Sequence, residues 1–387
     1  MYITIAVLKE TLAHERRVAI VPSVAARLLK LGIRLHMQSD AGAAARFEDT
    51  DYPGVVFASD RSQLVRQADV VLAVQPPALD VIDAMQEGAI LMSFVYAEKS
   101  PALVQHLLDK KITCFAMERV PRISRAQAMD ALSSQSALAG YYAVQLGATH
   151  MARILPKITT AGGVVGPAKV LVLGLGVAGL EAIATAHRLG AVVEGYDVRP
   201  ETQEQAQSLG ASFVKTDVDA RGKGGYARAL SAEEKKQIDT ILTRHIQQAD
   251  LIITTAAIPG KSSPKLISQA QVKGMKAGAV IVDLSAEGGG NCEDTVSGQT
   301  IQVGQVTIVA PFNVPSLLST DASDLYAKNQ YNLLALLVKN NIIVIDWDDE
   351  VLAKTVLTHD GILKNGSALV DPPPGGQSAS AVQTSKT

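Results

Sequence analysis

The stretch LVLGLGVAGLEAIATAHRLGAVVEGYDVR, residues 171–199, constrains the fold more than any other segment of the chain. It sets an apolar run before Gly174-x-Gly176-x-x-Gly179, then an alanine-rich helical run, then a second apolar run that ends in Asp197, 18 residues after Gly179. The glycine spacing alone is a weak signal. The order strand, turn, helix, strand around it is what makes it specific. Gly174 permits a tight turn, and Gly176 lets the backbone approach a pyrophosphate. Gly179 lets helix and strand pack closely, while Val177 and Ala178 open the helix whose N-terminus faces the phosphates. Asp197 is placed to accept hydrogen bonds from the adenosine ribose hydroxyls. Its charge repels a 2′-phosphate, so the expected ligand is NAD(H) rather than NADP(H). Arg199 works against that preference, because an arginine there can accommodate a phosphate; the acidic residue carries the greater weight. The bland alternative is an accidental glycine-rich turn.

Short β-branched runs alternate with helical stretches on both sides of this motif. Before it come ITIAV (3–7), IRLHM (33–37), DVVLAV (69–74), AILMSF (89–94) and ITCFAM (112–117), with helical stretches such as 24–32 and 101–111 between them. After it come ASFVK (211–215), DLIITT (250–255), AVIVDL (279–284) and VTIVA (306–310). Such alternation predicts an α/β fold of two Rossmann-like, doubly wound parallel-sheet domains with a ligand cleft between them. A long helix within Asp130–Leu155 bridges the two. A further helix, Ala322–Lys339, leads to IIVID (342–346), read as a strand returning to the first sheet. The expected division is a discontinuous first domain, 1–130 plus 322–370, an NAD(H)-binding domain, 131–321, and a disordered tail or linker, 371–387, rich in Pro, Gly, Ser and Thr.

Composition excludes several classes. A net charge of −2 offers no basic field for nucleic acid or an anionic membrane. Two cysteines, Cys114 and Cys292, make neither a disulfide framework nor a zinc site and fit a reducing cytoplasm. The most apolar stretch, Val164–Ala186, is broken by Pro167, Lys169, Glu181 and four glycines, so a strand and a helix explain it better than a membrane span.

Between the two strand series lies PRISRAQAMDALSSQS (121–136), a polar cluster flanked by apolar blocks. Arg122, Gln127, Asp130 and Ser133 carry the donors and acceptors that a carboxamide needs. The residues alone leave a second reading open: a helix N-terminus capped by Asp and Ser, with surface Arg–Asp pairing. AAIPGK (256–261), with Ala257 and Gly260, and DLSAEGGGN (283–291), with Leu284 and Ala286, follow strands, where loops line the nucleotide crevice of a parallel sheet. A strand-end cap is the other reading of Asp283.

The sequence resembles the NAD(H)-binding domain I, or alpha subunit, of proton-translocating NAD(P)+ transhydrogenase, a family related to alanine dehydrogenase. The resemblance runs through LKETLAHERRVAIVPS (8–23), PRISRAQAMDALSSQSALAGYYAV (121–144), the 174–186 glycine run, GGYA (224–227), TTAAIPGKSSPKLI (254–267), VDLSAEGGGNCE (282–293) and NVPS (313–316). PRISRAQ is its most specific segment. The resemblance implies that Arg122, Gln127, Asp130 and Ser133 lie against the nicotinamide of bound NAD(H), with Gln127 reaching a second nicotinamide. It also implies that Tyr226 belongs to a mobile loop that closes on the nucleotide. The implied enzyme is Si-side/Re-specific. It passes hydride directly between NADH and NADP+, the latter held on a separate NADP(H)-binding domain III, and membrane domain II couples the transfer to proton flow. A homodimer is implied, peripheral on the cytoplasmic side of the inner membrane. In some relatives domain I is a separate subunit, and in others a linker joins it to membrane helices; the tail leaves both open.

The runner-up is an alanine dehydrogenase-like amino-acid dehydrogenase. That reaction needs a cation for the substrate carboxylate and an acid/base beside the reacting carbon. Gln75 stands where those relatives carry the lysine of a KVKEP-like stretch, and Tyr96 where they carry a histidine; Arg16 or Arg17 matches their arginine. A third reading, a catalytically silent NAD-binding protein, has less use for the exposed Gln127.

Overall fold

The computed structural model describes residues 2–216, 218, 231–258 and 262–364. Two open sheets organise these residues. The first has eight strands in the order Ile362–Leu363, Val356–His359, Thr113–Ala116, Ile90–Ser93, Val70–Leu72, Thr4–Val7, Arg34–Gln38 and Val56–Ala58. The six strands from the N-terminal third of the chain are parallel. Central strands such as Ile90–Ser93 and Thr113–Ala116 are buried at every position. Successive residues serve opposite faces, as the period of two requires: Ile5 and Val7 belong to one core, Ala6 and Leu8 to the other. A sheet covered on both faces selects continuous apolar runs, which is why these strands read so plainly in the sequence.

The second sheet runs in the order Ser212–Phe213, Val192–Tyr196, Lys169–Leu173, Leu251–Thr254, Val280–Asp283, Val306–Val309 and Thr300–Val303. All its pairings are parallel except that of the edge strand Thr300–Val303, whose alternating pattern TIQV does not stand out in the sequence. The order reverses between Lys169–Leu173 and Leu251–Thr254. In open parallel sheets such a switch point opens a crevice at the carboxyl ends of the strands.

The helix Ala131–His150 joins the two halves. Its 20 residues span about 30 Å. It lies against the helix Val177–Arg188 so closely that a Cβ at Gly140 would sit 2.0 Å from the Ala178 carbonyl oxygen. The apolar stretch Val164–Ala186 resolves into the end of a hairpin (Ile158–Thr160 with Gly163–Val165), the strand Lys169–Leu173 and most of that helix. Among the described residues no helix is long and apolar enough to cross a membrane.

The chain does return to the first sheet, but not through IIVID. The helix Ser319–Leu337 ends in a hairpin in which Ile342–Ile343 pairs with Val338–Lys339. Asn340 and Asn341 form its tip at φ 52° and 60°. Two left-handed residues in succession make the tight primed turn that asparagine tolerates well, so the strand folds back locally. The returning strand is Val356–His359, antiparallel to Thr113–Ala116.

Candidate functional site

The glycine turn follows the strand Lys169–Leu173 at the switch point. Gly174 has φ 91°, a left-handed conformation that favours glycine, and its carbonyl accepts the Thr255 hydroxyl at 2.8 Å from across the crevice. A Cβ at Gly179 would lie 1.9 Å from the Gly174 carbonyl oxygen, so the first turn of the helix has no room for a side chain there. Gly176 differs: among the described residues nothing lies within 4 Å of where its Cβ would be. No described side chain caps the helix that Val177 and Ala178 begin, and Val177 is exposed. The turn therefore presents open backbone at a positive helix end, which fits a diphosphate.

Asp197 follows the next strand, Val192–Tyr196, and is 9% exposed. Its carboxylate accepts Leu175 N at 2.7 Å, and Arg199 encloses it through the backbone N at 2.9 Å, Nε at 2.8 Å and an η nitrogen at 2.7 Å. The two residues that pull in opposite directions on a 2′-phosphate are thus an ion pair. A ribose diol reaching Asp197 has to take over bonds that Arg199 now makes.

Two loops wall the crevice. Ala257 is exposed after the strand Leu251–Thr254, and Gly260 lies outside the described residues. Leu284 is half-buried and Ala286 buried after Val280–Asp283. Asp283 is fully buried and accepts from Thr254, Ser285 N, Asn291 N, Cys292 N and Thr295 at 2.6–3.1 Å, a scaffold for its own loop. Asn291 in turn grips both backbone groups of Ala256.

PRISRAQ follows the strand Thr113–Ala116 of the first sheet. Arg122 and Gln127 are exposed, while Ala126 and Met129 anchor a 3-10 segment, Ser124–Met129, in the core. Asp130 is the N-cap of the joining helix: it accepts Ser133 N at 2.9 Å and the Ser133 hydroxyl at 2.6 Å. Capping of a helix N-terminus is therefore what Asp130 and Ser133 do in this structure. Each carboxylate oxygen keeps a lone pair beyond those bonds. The Arg–Asp pairing is made by Arg125 with Asp349. Tyr226 lies outside the described residues.

One cluster is only half visible in the sequence. Glu15 and Arg17 form a buried pair at 2.6 Å, with side chains 0% and 3% exposed. Glu15 also accepts Gln75 Nε2 and Asn313 Nδ2, each at 2.8 Å, and the Ser316 hydroxyl at 3.2 Å. Arg17 Nη1 donates to Gln135 Oε1 at 2.8 Å. Gln75 follows a strand of the first sheet, Asn313 and Ser316 follow one of the second, and Gln135 lies on the joining helix, so the pair ties together the carboxyl ends of both sheets. Burial pushes the Glu15 carboxyl up, but the Arg17 guanidinium and the Gln75 amide outweigh that and hold it down at about 2. Nearby Glu10 accepts from the backbone of Val74 and Gln75. Burial, with the charge of Glu15, pushes its carboxyl up to about 8. Tyr96 stacks on Phe94 at 5.5 Å, and burial pushes its phenol well above the usual range. The motif HERRVA holds the signal for this cluster: Arg16 is exposed and Arg17 buried, which decides between the two arginines.

Two family models match the chain: "Alanine dehydrogenase/PNT, N-terminal domain" over residues 6–139 and "Alanine dehydrogenase/PNT, C-terminal domain" over residues 143–366. Among curated proteins, the NAD(P) transhydrogenase subunit alpha of Rhodospirillum rubrum, in the first of its separate chains, is 44% identical over 389 residues, covering 97% of this chain and 100% of that one. The "Alanine dehydrogenase" of Mycobacterium tuberculosis is 29% identical over 371 residues, covering 94% and 95%. Among solved structures, the transhydrogenase from Sinorhizobium meliloti superposes with a TM-score of 0.84 at 38% identity, covering 93% of this chain and 99% of that one. The fold, the glycine turn and these similarities agree: the chain belongs to the alanine dehydrogenase/PNT family.

Proposed function

We propose that this chain is the NAD(H)-binding component of a proton-translocating transhydrogenase, and that it passes hydride directly between NADH and NADP+ held on a separate domain III. The observation that carries the reading is the cleft itself. It pairs a glycine turn open for a diphosphate at Gly176 with an amino-acid seat that lacks the groups for amino-acid chemistry. Gln75 and Tyr96 stand where a lysine and a histidine would serve a dehydrogenase, and the buried Arg17 already has an internal carboxylate partner in Glu15.

When bound, NADH supplies the hydride, and no protein acid or base is required. The chain's residues then have three tasks. The backbone of Gly174, Gly176, Val177, Ala178 and Gly179 receives the diphosphate, and Asp197 the adenosine ribose once Arg199 yields. Ala257, Gly260, Leu284 and Ala286 wall the crevice. Arg122, Asp130 and Ser133 orient the nicotinamide. Asp130 has acceptor capacity to spare for a carboxamide NH2 while it caps the helix. Exposed Gln127 reaches the second nicotinamide, and Tyr226 closes over the site, so positioning rather than bond chemistry sets the rate.

The first sheet with its returning C-terminal strands forms one domain and the second sheet the other, with the joining helix between them. The reading implies a homodimer, an NADP(H)-binding partner domain, a membrane domain II and a peripheral place on the cytoplasmic side of the inner membrane. Hydride transfer measured with and without an added NADP(H)-binding domain tests it. Transfer that needs the partner supports the reading. NADH oxidation by pyruvate and ammonia alone would replace it with the amino-acid dehydrogenase.

A further inference from the structure

The segment Ser124–Met129 carries Gln127 at the surface, yet little within the segment holds it. Its local backbone bonds are Ala126 N to Ile123 O at 3.0 Å and a long one, Asp130 N to Gln127 O at 3.3 Å. The grip comes from elsewhere. The carbonyl of Ala128, the residue after Gln127, accepts two side-chain amides: Asn329 Nδ2 at 2.9 Å and Asn332 Nδ2 at 3.0 Å. Three residues apart, the two asparagines share one face of the helix Ser319–Leu337. Asn329 is 6% exposed, and its Oδ1 accepts the Ser134 hydroxyl at 2.8 Å, which joins the same amide to the first turn of the Ala131–His150 helix. The helix bearing them is itself fixed: Tyr326 donates to Ala73 O at 2.9 Å, and Gln330 donates to Ala73 O and Met92 O. A buried amide with both its ends engaged, placed under an exposed loop, is a costly arrangement unless the loop's position matters.

We propose that Asn329 and Asn332 are positioning residues for hydride transfer: by jointly holding the Ala128 carbonyl they fix where Gln127 meets the nucleotide carried by the partner. This inference rests on the reading of function given above and extends it to residues that touch neither nucleotide. Both lone pairs of one carbonyl are used, so loss of one amide leaves the loop hinged on the other, and loss of both releases it. A displacement of about 1 Å in a group that orients two reactants can cost on the order of a hundredfold in rate.

The test uses Asn332→Ala, Asn329→Ala and the double variant of the full chain, mixed with an NADP(H)-binding domain. Asn332 is half-exposed and its removal leaves the core untouched, so at least one variant folds. The expected result is a graded loss of the transfer rate at saturating NADH, about tenfold or more in the double variant. The NADH dissociation constant stays within about twofold, and amide exchange across 121–130 speeds up in the same order. Transfer within about twofold of wild type in the double variant overturns the proposal, whatever the exchange shows. Slowed transfer with unchanged exchange also overturns it, since the asparagines would then act by another route. A wild-type chain that passes no hydride with the partner would instead remove the reading of function, and exchange alone would decide whether the two amides hold the loop.

Discussion

Replacing Arg17 by leucine tests the junction between the two sheets. The substitution removes the cation from a carboxylate that has no solvent contact, together with bonds to Glu15 Oε1 at 2.8 Å, Glu15 Oε2 at 2.6 Å and Gln135 Oε1 at 2.8 Å. Breaking a buried pair from one side costs about 3–5 kcal/mol, because the remaining charge stays buried. An independent figure comes from the carboxyl itself. Its fall from 4.5 to about 2 corresponds to roughly 3 kcal/mol of stability at neutral pH. The sign follows from the depressed value: the contribution is complete above the unfolded carboxyl's 4.5 and is lost as pH falls toward 2. Urea unfolding followed by Trp347, the single tryptophan, reports on the loss. Arg17→Leu should lose about 3 kcal/mol at pH 7, and its stability should no longer fall with the wild-type slope between about pH 4.5 and 2.5. Glu15→Leu with Arg17→Leu should be less damaging than Arg17→Leu alone, since no charge is left buried. A single variant within about 1 kcal/mol of wild type, or a double variant worse than the single, would refute this role for the pair.

Other outcomes follow from the site. Gly179→Ala forces a Cβ to within 1.9 Å of a backbone oxygen, so it should cost about 1–3 kcal/mol in thermal unfolding and weaken NADH binding measured by calorimetry. Asp130→Asn keeps an acceptor for Ser133 N, so stability should hold within about 1 kcal/mol while NADH binding or orientation worsens in transfer kinetics. Gln127→Asn should leave NADH affinity near normal and slow transfer sharply; a large loss of binding would assign it a different role. Arg199→Ala frees the Asp197 carboxylate and should widen the preference for NADH over NADPH in competition binding.

Much of the fold is legible because strands buried on both faces read as continuous apolar runs, and because the turn around Gly174 and Gly179 admits little but glycine. IIVID misleads, since an apolar run does not reveal its pairing partner: two asparagines at positive φ turn it back on its own helix. The site is legible where chemistry is local, as at Gly174–Asp197. It is not where distant segments meet. HERRVA, AVQPP and NVPS each look unremarkable, and their convergence on Glu15 exists only in three dimensions. Asn329 sits in an ordinary helix and gives no signal. Arg199 reads as a rival of Asp197, when the two are partners, because a two-residue spacing does not show that a side chain folds back.

The most direct test of the central claim is the rate of hydride transfer from NADH to an NADP+ analogue, with and without an added NADP(H)-binding domain, beside a control with pyruvate and ammonia. Transfer should appear only with the added domain, with no NADH oxidation in the control. NADH oxidation by pyruvate and ammonia without any partner would contradict the claim, and would mean that Gln75 and Tyr96 serve an amino-acid substrate after all.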